Sequence, residues 1–429
     1  MSSTVLELNQ DVLSTVTSWW TQRKAVSSSS QERYFQAFEK LGFPTTKQEE
    51  WKYTSVRPIL QAAYQPADDR RAFWTNADFQ RFPLSEIQDA YRIVLINGFV
   101  HESLSLLPAA AEAWKVELLQ PGVDGPDLTM PVENGFIALN MALPGTCIRI
   151  RIPDALHVPK PLLIYHVADG TAADTWIHSR VQLEAGKGSR MSLAEIFVSA
   201  GSHATLSNVL CELDAQEAAF IDYSKIQLEE TRAFHVGSAY ITQAADSQVD
   251  THVLTLEGVF VRNNLRFALA GPHGTSILNG LYMLGGSQFC DNHTRVDHAM
   301  PECLSDQLYK GILNDQSVGV FNGKIMVHKD AQKTNAYQRN VNLLLSDDAT
   351  IDTKPQLEIF ADDVRCTHGA TAGYLNEEAV FYLRARGISE PIARRMLLIA
   401  FANEIVEKMN VEALKDPLKA YIAQKLERT

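Results

Sequence analysis

The sequence lacks the features of a secreted, membrane-spanning or nucleic-acid-binding protein. Its longest apolar run, MLLIAFA from Met396, has about seven residues, far fewer than the ~20 that a membrane-spanning helix needs. The N-terminal stretch MSSTVLELNQDVLS has neither a basic nor an apolar segment and does not resemble a signal peptide. With 39 Lys and Arg against 51 Asp and Glu, the net charge is −12, which repels phosphate backbones and anionic lipid. We therefore expect a cytoplasmic protein that binds neither nucleic acid nor membrane.

Cysteine is scarce, and its distribution excludes several kinds of site. The five cysteines are Cys147, Cys211, Cys290, Cys303 and Cys366. Their number is odd, they are far apart, and no C-x-x-C pair occurs. A disulfide framework, a structural zinc site and a complete iron–sulfur cluster held by this chain alone are therefore not expected.

Nucleotide-binding motifs are also missing. Neither G-x-x-x-x-G-K-[ST] nor a dinucleotide fingerprint occurs. The glycine-rich stretch GPHGTS, from Gly271 to Ser276, predicts a tight turn rather than a phosphate loop. The chain is not expected to hydrolyse ATP itself.

Three zones follow one another along the chain. Residues 1–90 read as mostly helical, with amphipathic segments such as TVLELNQDVLSTVTSWWTQRKA. Residues 91–373 contain short β-branched and apolar runs separated by Gly, Asn, Asp or Ser. Residues 374–429 return to a helical period, with Asn376 predicted as an N-cap and Gly387 as a stop signal. We expect an N-terminal helical region, a β-rich core and a C-terminal helical region with these boundaries.

The central zone limits the choice of architecture. Most of its runs are separated by too few residues for a crossover helix, which excludes a doubly wound α/β sheet. A sandwich, a barrel and a parallel β-solenoid remain, but the zone is long for one ordinary sandwich or small barrel. The recurring segments ILNGLYM, LYKGILN and VFNGKIMV favour stacked rungs without excluding the other two architectures.

The stretch FCDNHTRVDHAMPEC contains the ligand types that zinc prefers, two thiols and two imidazoles. Along a strand, however, Cys290 and His298 share one face while His293 points to the other. Together with Cys303, these residues are better interpreted as polar rung positions than as a metal site.

Two acidic doublets raise the alternative of a β-solenoid enzyme that acts on polysaccharide. Adjacent strand residues point to opposite faces, so neither Asp347–Asp348 nor Asp362–Asp363 forms a carboxylate pair by itself. The stretch SDDAT is typical of a turn. Without a signal peptide or a clear groove of carboxylates and aromatics, this alternative stays secondary.

One pair of residues remains as a candidate site. In VRCTHGAT, Cys366 and His368 stand two residues apart, so on an extended segment both side chains project to the same side. Gly369 and Gly373 follow, which would place the pair near the end of a strand. By itself the pair favours a simpler interpretation, a buried cysteine beside an exposed histidine, and does not justify a function.

The surrounding residues resemble the SufB/SufD family of iron–sulfur cluster assembly proteins. The blocks YKGIL, GVFNGKI, DAQKT, N-x-N-LLLS, KPQLEI, ADDV and HGAT occur in the order typical of that family. FYLRARGISEPIARRMLLIAFANEI resembles the family's C-terminal helical region, and EEWKYTSV resembles the N-terminal block of the SufD branch. HGAT, where the SufB branch is similar to HEAT, also favours SufD. The resemblance extends over nearly the whole chain.

This resemblance implies a mainly β fold, a right-handed parallel β-helix with helical regions at both ends. It implies a non-catalytic subunit of a SufBCD-like scaffold that pairs with a SufB-like paralogue. A transient iron–sulfur cluster would be shared with SufB at the interface and not held stably by this chain alone. ATP would act only through a SufC-like ABC ATPase bound to the C-terminal helices. The isolated chain is expected to form a homodimer.

The resemblance also implies residue roles. His368, followed by Cys366, is the candidate cluster ligand, and Glu358, Asp362 and Asp363 are possible groups around it. A purely architectural subunit without cluster ligands shares every motif and remains an alternative. The candidate contacts to SufC are Leu383, Arg384, Gly387, Ile388, Arg394, Met396, Leu397 and Phe401.

Overall fold

A computed structural model describes residues 3–108, 112–120, 122–123, 125–129, 131–230 and 232–428. The helices are α1 (Ser3–Arg23), α2 (Ser29–Leu41), α3 (Asn76–Phe79), α4 (Gly135–Ala142), α5 (Glu377–Ala385), α6 (Glu390–Glu407) and α7 (Glu412–Arg428). The strands are β1 (Gln65–Pro66), β2 (Tyr91–Ile96), β3 (Phe99–Val100), β4 (Lys115–Leu119), β5 (Thr146–Ile152), β6 (Leu162–Gly170), β7 (Thr175–Ala185), β8 (Arg190–Gly201), β9 (Thr205–Ala215), β10 (Phe220–Leu228), β11 (Ala233–Gln243), β12 (Gln248–Thr255), β13 (Phe260–Leu269), β14 (Thr275–Leu284), β15 (Phe289–His298), β16 (Leu304–Leu313), β17 (Val318–Val327), β18 (Asn335–Leu344), β19 (Thr350–Ile359) and β20 (Arg365–Gly373).

The strands form two sheets, and the chain passes from one sheet to the other with almost every turn. The odd sheet has the order β19-β17-β15-β13-β11-β9-β7-β5-β4, with β1 beside β7. The even sheet has the order β20-β18-β16-β14-β12-β10-β8-β6-β2-β3. Within the odd sheet Phe260 lies beside Phe289 and Phe289 beside Val318, so one full turn there takes 29 residues. This topology is a parallel β-helix, and it confirms the mainly β fold with helices at both ends.

The interior of the coil is filled by alternate side chains of both sheets. Inward residues such as Leu213, Ile221, Phe267 and Leu284 are almost fully buried in one continuous cluster. Side chains of this size stabilise the fold by about 1.5–3 kcal/mol each when they leave water. The strands are buried on their outer faces as well, which explains their nearly continuous apolar runs.

The C-terminal helices cover the outer face of the even sheet. Ile226 and Leu254 of the sheet pack in one cluster with Val406 of α6 and Leu418 of α7. The buried ammonium of Lys310 donates to the Phe401 carbonyl (2.8 Å) and to the Glu404 carboxylate (2.7 Å). This polar contact fixes α6 on the sheet.

The N-terminal region and α4 cover the outer face of the odd sheet. Between α2 and β2 this region consists mainly of short 3₁₀ turns and loops. The buried Trp51 ring lies 3.6 Å from the Arg262 guanidinium, and the Glu50 carboxylate pairs with His293 at 2.5 Å. The hydrogen bond to His293 lowers the pKa of Glu50 to about 2. An ion pair between Glu49 and Lys354 extends this attachment to β19.

The coil has an open end at β20. Among the described residues, β20 pairs on one side only, with β18, and the Arg365 amide donates to the Thr334 carbonyl at 2.9 Å. Peptide groups alternate in direction along a strand, so the N–H and C=O groups of every second residue point away from β18. These outward residues are Cys366, His368, Ala370 and Ala372.

The outer edge of β19 is similar, but a proline interrupts its row of backbone N–H groups. The Thr350 amide donates inward to the Ser317 carbonyl (3.0 Å), which places Pro355 at an outward position. Proline has no N–H to donate and is tolerated at sheet edges for this reason. The open end therefore presents one complete edge and one interrupted edge.

The start of the C-terminal region follows the sequence signals closely. The Asn376 side chain accepts hydrogen bonds from the amides of Glu378 (2.9 Å) and Ala379 (3.1 Å), which confirms the N-cap. Gly387 ends α5 with a φ of 87°, a conformation that favours glycine.

No helix among the described residues is long and apolar enough to cross a membrane.

Candidate functional site

Cys366 and His368 lie on the last strand of the even sheet. In the register with β18, Cys366 stands beside Ala336 and His368 beside Gln338. Cys366 is half-buried and packs against the interior cluster of the coil. His368, two residues further on, shares that face and is exposed. The two side chains therefore lie together at the mouth of the coil.

The environment of Cys366 favours the neutral thiol. Partial burial raises the pKa of Cys366 above its usual value, and a hydrogen bond with the Ala336 backbone only partly counters this. A thiolate, the form that binds metals, needs an added positive charge such as a metal ion. Cys366 is thus reachable, but not activated by this chain alone.

The other four cysteines are buried and face a different environment. Burial raises the pKa of Cys147 to about 11 and that of Cys290 to about 12, and it also raises the pKa values of Cys211 and Cys303. All four side chains are at most 3% exposed. Cys366 is the one cysteine that an external ligand can approach.

The zinc-like set of residues is not assembled. Cys290 is buried in the interior cluster, and His298 bonds to Ser305 at 2.9 Å, where burial lowers the pKa of His298 to about 4. His293 points outward to Glu50. Among the described residues, no three or more His, Cys, Asp and Glu side chains lie close enough together to hold a metal ion.

The acidic residues do not gather around the pair either. Glu358 lies on the outer face of the odd sheet, where it pairs with Lys324 at 2.7 Å. Asp362 and Asp363 are exposed in the loop that joins β19 and β20, and the Asp363 backbone binds Gln332 and Lys333. Asp347–Asp348 occupies the turn before β19.

The candidate contacts to SufC divide into two groups. Leu383, Ile388, Leu397 and Phe401 pack against the cluster beneath the helices. Arg384, Gly387 and Met396 are exposed, and Arg394 is half-buried with bonds to Glu377 (2.9 and 3.0 Å) and Glu390 (3.0 Å). The packed group holds α5 and α6 in place, while the exposed group faces solvent.

Sequence reasoning missed several exposed apolar side chains in this region. Tyr374, Phe381 and Tyr382 are between 56% and 72% exposed. Apolar residues at helical spacing identify the buried face of a helix, and these three residues do not belong to such a pattern. The signal available was the adjacent aromatic pair at 381 and 382, which a single helix face cannot bury entirely.

The chain resembles known proteins over nearly its full length. It matches the family models "SUF system FeS cluster assembly, SufBD core domain" at residues 166–401 and "SufBD protein N-terminal region" at residues 16–105. It is 30% identical to the iron-sulfur cluster assembly protein SufD of Escherichia coli, with 93% of each chain covered. It is 28% identical to an iron-sulfur cluster assembly SufBD family protein of Synechocystis, with 89% of this chain and 87% of that protein covered. It is 30% identical to the chloroplastic protein ABCI7 of Arabidopsis thaliana, with 64% and 59% covered.

Proposed function

The chain belongs to the SufBD family of iron–sulfur cluster assembly proteins, and we propose that it is a non-catalytic subunit of a SufBCD-like scaffold. Its open end pairs with a SufB-like paralogue, and its C-terminal helices bind a SufC-like ABC ATPase. All five cysteines are free thiols, which suits a reducing compartment such as the cytoplasm.

The observation that carries this proposal is the position of the reachable cysteine and histidine at an unpaired sheet edge. Long exposed edges recruit other strands, and soluble proteins normally blunt them. Here the backbone groups of Cys366 and His368 point outward while their side chains face the mouth of the coil. A strand added at this edge would bring its own side chains directly beside both residues.

The chemistry of the pair suits a shared site for a cluster that is cargo. Iron–sulfur clusters accept thiolate ligands and, in some cases, imidazole. One cysteine and one histidine supply too few ligands for stable binding, so the remaining ligands come from the partner. A cluster held between two subunits is released when they move apart. ATP hydrolysis on the SufC-like subunit supplies that movement.

The C-terminal helices suit the ATPase contact because they combine a fixed base with an exposed apolar surface. Lys310 fixes α6 on the even sheet. The exposed Phe381 and Ile392 add apolar area of the kind that marks protein interfaces. A movement of α6 would therefore be transmitted directly to the even sheet through Lys310.

The test is cluster content in the complex co-expressed with SufB- and SufC-like partners and purified anaerobically. Iron and acid-labile sulfide are measured for wild type, His368→Ala and the control His273→Ala, an exposed histidine in a turn away from the pair. We expect the His368 variant to assemble but to lose most of its cluster, while the control fills normally. Cys366→Ser should lose less than His368→Ala.

A second candidate function is a purely architectural subunit. It is favoured by two observations, the lack of a third ligand near the pair among the described residues and the raised pKa of Cys366. The same experiment decides between the two. If assembled His368→Ala complexes fill like wild type, the partner holds the cluster alone.

A further inference from the structure

A ladder of buried polar side chains runs inside the coil towards its open end. The Gln307 amide nitrogen donates to the Thr294 hydroxyl (2.6 Å), and the Gln338 amide nitrogen donates to the Gln307 carbonyl oxygen (2.8 Å). All three residues are at most 1% exposed. Both amide groups donate towards the preceding strands. The group left at the end of the ladder nearest the open end of the coil is therefore an acceptor, the side-chain oxygen of Gln338.

That outer acceptor has no partner. The side-chain oxygen of Gln338 is buried and makes no hydrogen bond with any described residue. A buried carbonyl without a partner is costly, and native structures usually satisfy such groups. The next residue in the register is His368, and neighbouring strands lie only ~4.8 Å apart.

The Gln338 amide occupies the space that Gly323 leaves on the opposite sheet. A Cβ atom at Gly323 would lie 2.3 Å from the Gln338 amide nitrogen, so only glycine leaves room for it. Two side chains near this rung can donate to it. One is His368, which stands directly beside Gln338 on the neighbouring strand. The other is the buried hydroxyl of Thr353 on the odd sheet, which has no partner among the described residues. His368 is the donor on the strand that pairs with Gln338.

We propose that Gln338 is a positioning residue for His368. Its side-chain oxygen accepts a hydrogen bond from one imidazole N–H, which fixes the tautomer and leaves the other ring nitrogen free for the cluster. Histidines that bind metals usually donate their second N–H to a carbonyl in this way. This inference rests on the proposed role of His368 as a ligand.

The contact is tested first in the isolated full-length chain, without any cluster. In ¹⁵N-histidine spectra, the His368 signals are assigned by their loss in His368→Ala. We expect one imidazole N–H of His368 to be protected from solvent exchange in wild type. Gln338→Met and Gly323→Ala should remove that protection, the first by deleting the acceptor and the second by displacing it. An unprotected imidazole in wild type overturns the proposal.

The second readout is cluster content in the co-expressed complex. We expect Gln338→Met to retain the cluster about 10- to 100-fold more weakly than wild type. The control is Gln243→Met, a fully buried glutamine elsewhere in the coil that bonds to Ser276 and the Thr275 carbonyl. A cluster loss as large in this control would reduce the effect to general destabilisation and overturn the proposal.

The role of His368 is separated from that of Gln338 by the His368→Ala complex. If His368→Ala is empty while Gln338→Met fills normally, the positioning role is wrong and the ligand role stands. If His368→Ala also fills normally, the proposed ligand role of His368 fails, and the positioning role of Gln338 fails with it.

Discussion

The strands at the two ends of the coil differ in length and in the direction of their pairing. At the N-terminal end, β3 and β4 turn antiparallel to β2 and β5, and both are short, with two and five residues. At the other end, β19 and β20 are ten and nine residues long, parallel and unpaired on their outer sides within the described chain.

Burial differs between the ends on the even sheet. Most of β2 is buried, whereas every residue of β20 is exposed or half-buried. On the odd sheet, neither β4 nor β19 has a buried residue. A strand end that is capped closes the stack, while a long open edge can be extended by another chain. The difference leaves a long edge at the β19–β20 end of the coil that an added strand can extend.

The largest effect is expected from blocking the open edge. Ala370→Pro removes an outward N–H without removing a bond to β18, and its ring obstructs an incoming strand. Leaving a partner carbonyl without its hydrogen-bond donor costs about 1–3 kcal/mol, which corresponds to about 5- to 150-fold weaker binding of a SufB-like partner. The matched control, Ala370→Val, adds similar bulk and keeps the N–H. Binding is measured by titration of the partner, with the melting temperature of each variant as a check on folding. Equal affinity for both variants would show that the edge is not the interface.

The open edge should also pair with itself when no partner is present. The edge is self-complementary under a two-fold axis, so we expect the isolated chain to be a dimer and Ala370→Pro to be a monomer. Light scattering at micromolar concentration measures this directly. A wild-type monomer would mean that the exposed edge alone does not drive association.

The smallest effect concerns the sealed middle of the coil. Lys225 points into the interior over the Phe197 ring, and burial lowers its pKa to about 8. Between pH ~8 and ~10.5 the unfolded chain keeps a proton that the folded chain has released, so this group adds stability as pH rises, by at most ~1.4 kcal/mol per pH unit.

Urea unfolding of wild type and Lys225→Met at several pH values tests this sign. The difference in free energy of unfolding, wild type minus variant, should be constant below pH ~8 and increase above it. Taking the difference removes the contributions of the buried cysteines and tyrosines, which both proteins share. A difference that stays constant up to pH 10 would mean that Lys225 is hydrated and that the middle of the coil is not sealed.

Local signals in the sequence were sufficient for much of the fold. Short alternating runs with few residues between them indicated stacked rungs, and Asn376 was recognised as a cap from its position before a helical pattern. The placement of Cys366 and His368 on one face followed from strand alternation. These features depend on neighbours within a few residues, which the sequence displays directly.

Features that depend on register between distant segments were not predictable in the same way. Nothing near Gln338 in the sequence indicates that it lies beside His368, because the pairing depends on the length of the turn between two strands. The attachment of Glu50 to His293 joins segments that are far apart in the chain. The exposed Phe381 was missed because periodicity identifies the buried face only.

The covering of the even sheet has a consequence for synthesis of the protein. Ile226 and Leu254 leave the ribosome well before Val406 and Leu418, the helical residues that cover them. Domains begin to fold from the N-terminus during translation, so the nascent coil exposes the apolar strip around Ile226 and Leu254 until α6 and α7 have been made. We therefore expect a chain truncated after β20 to expose this apolar strip and to aggregate more readily than the full chain.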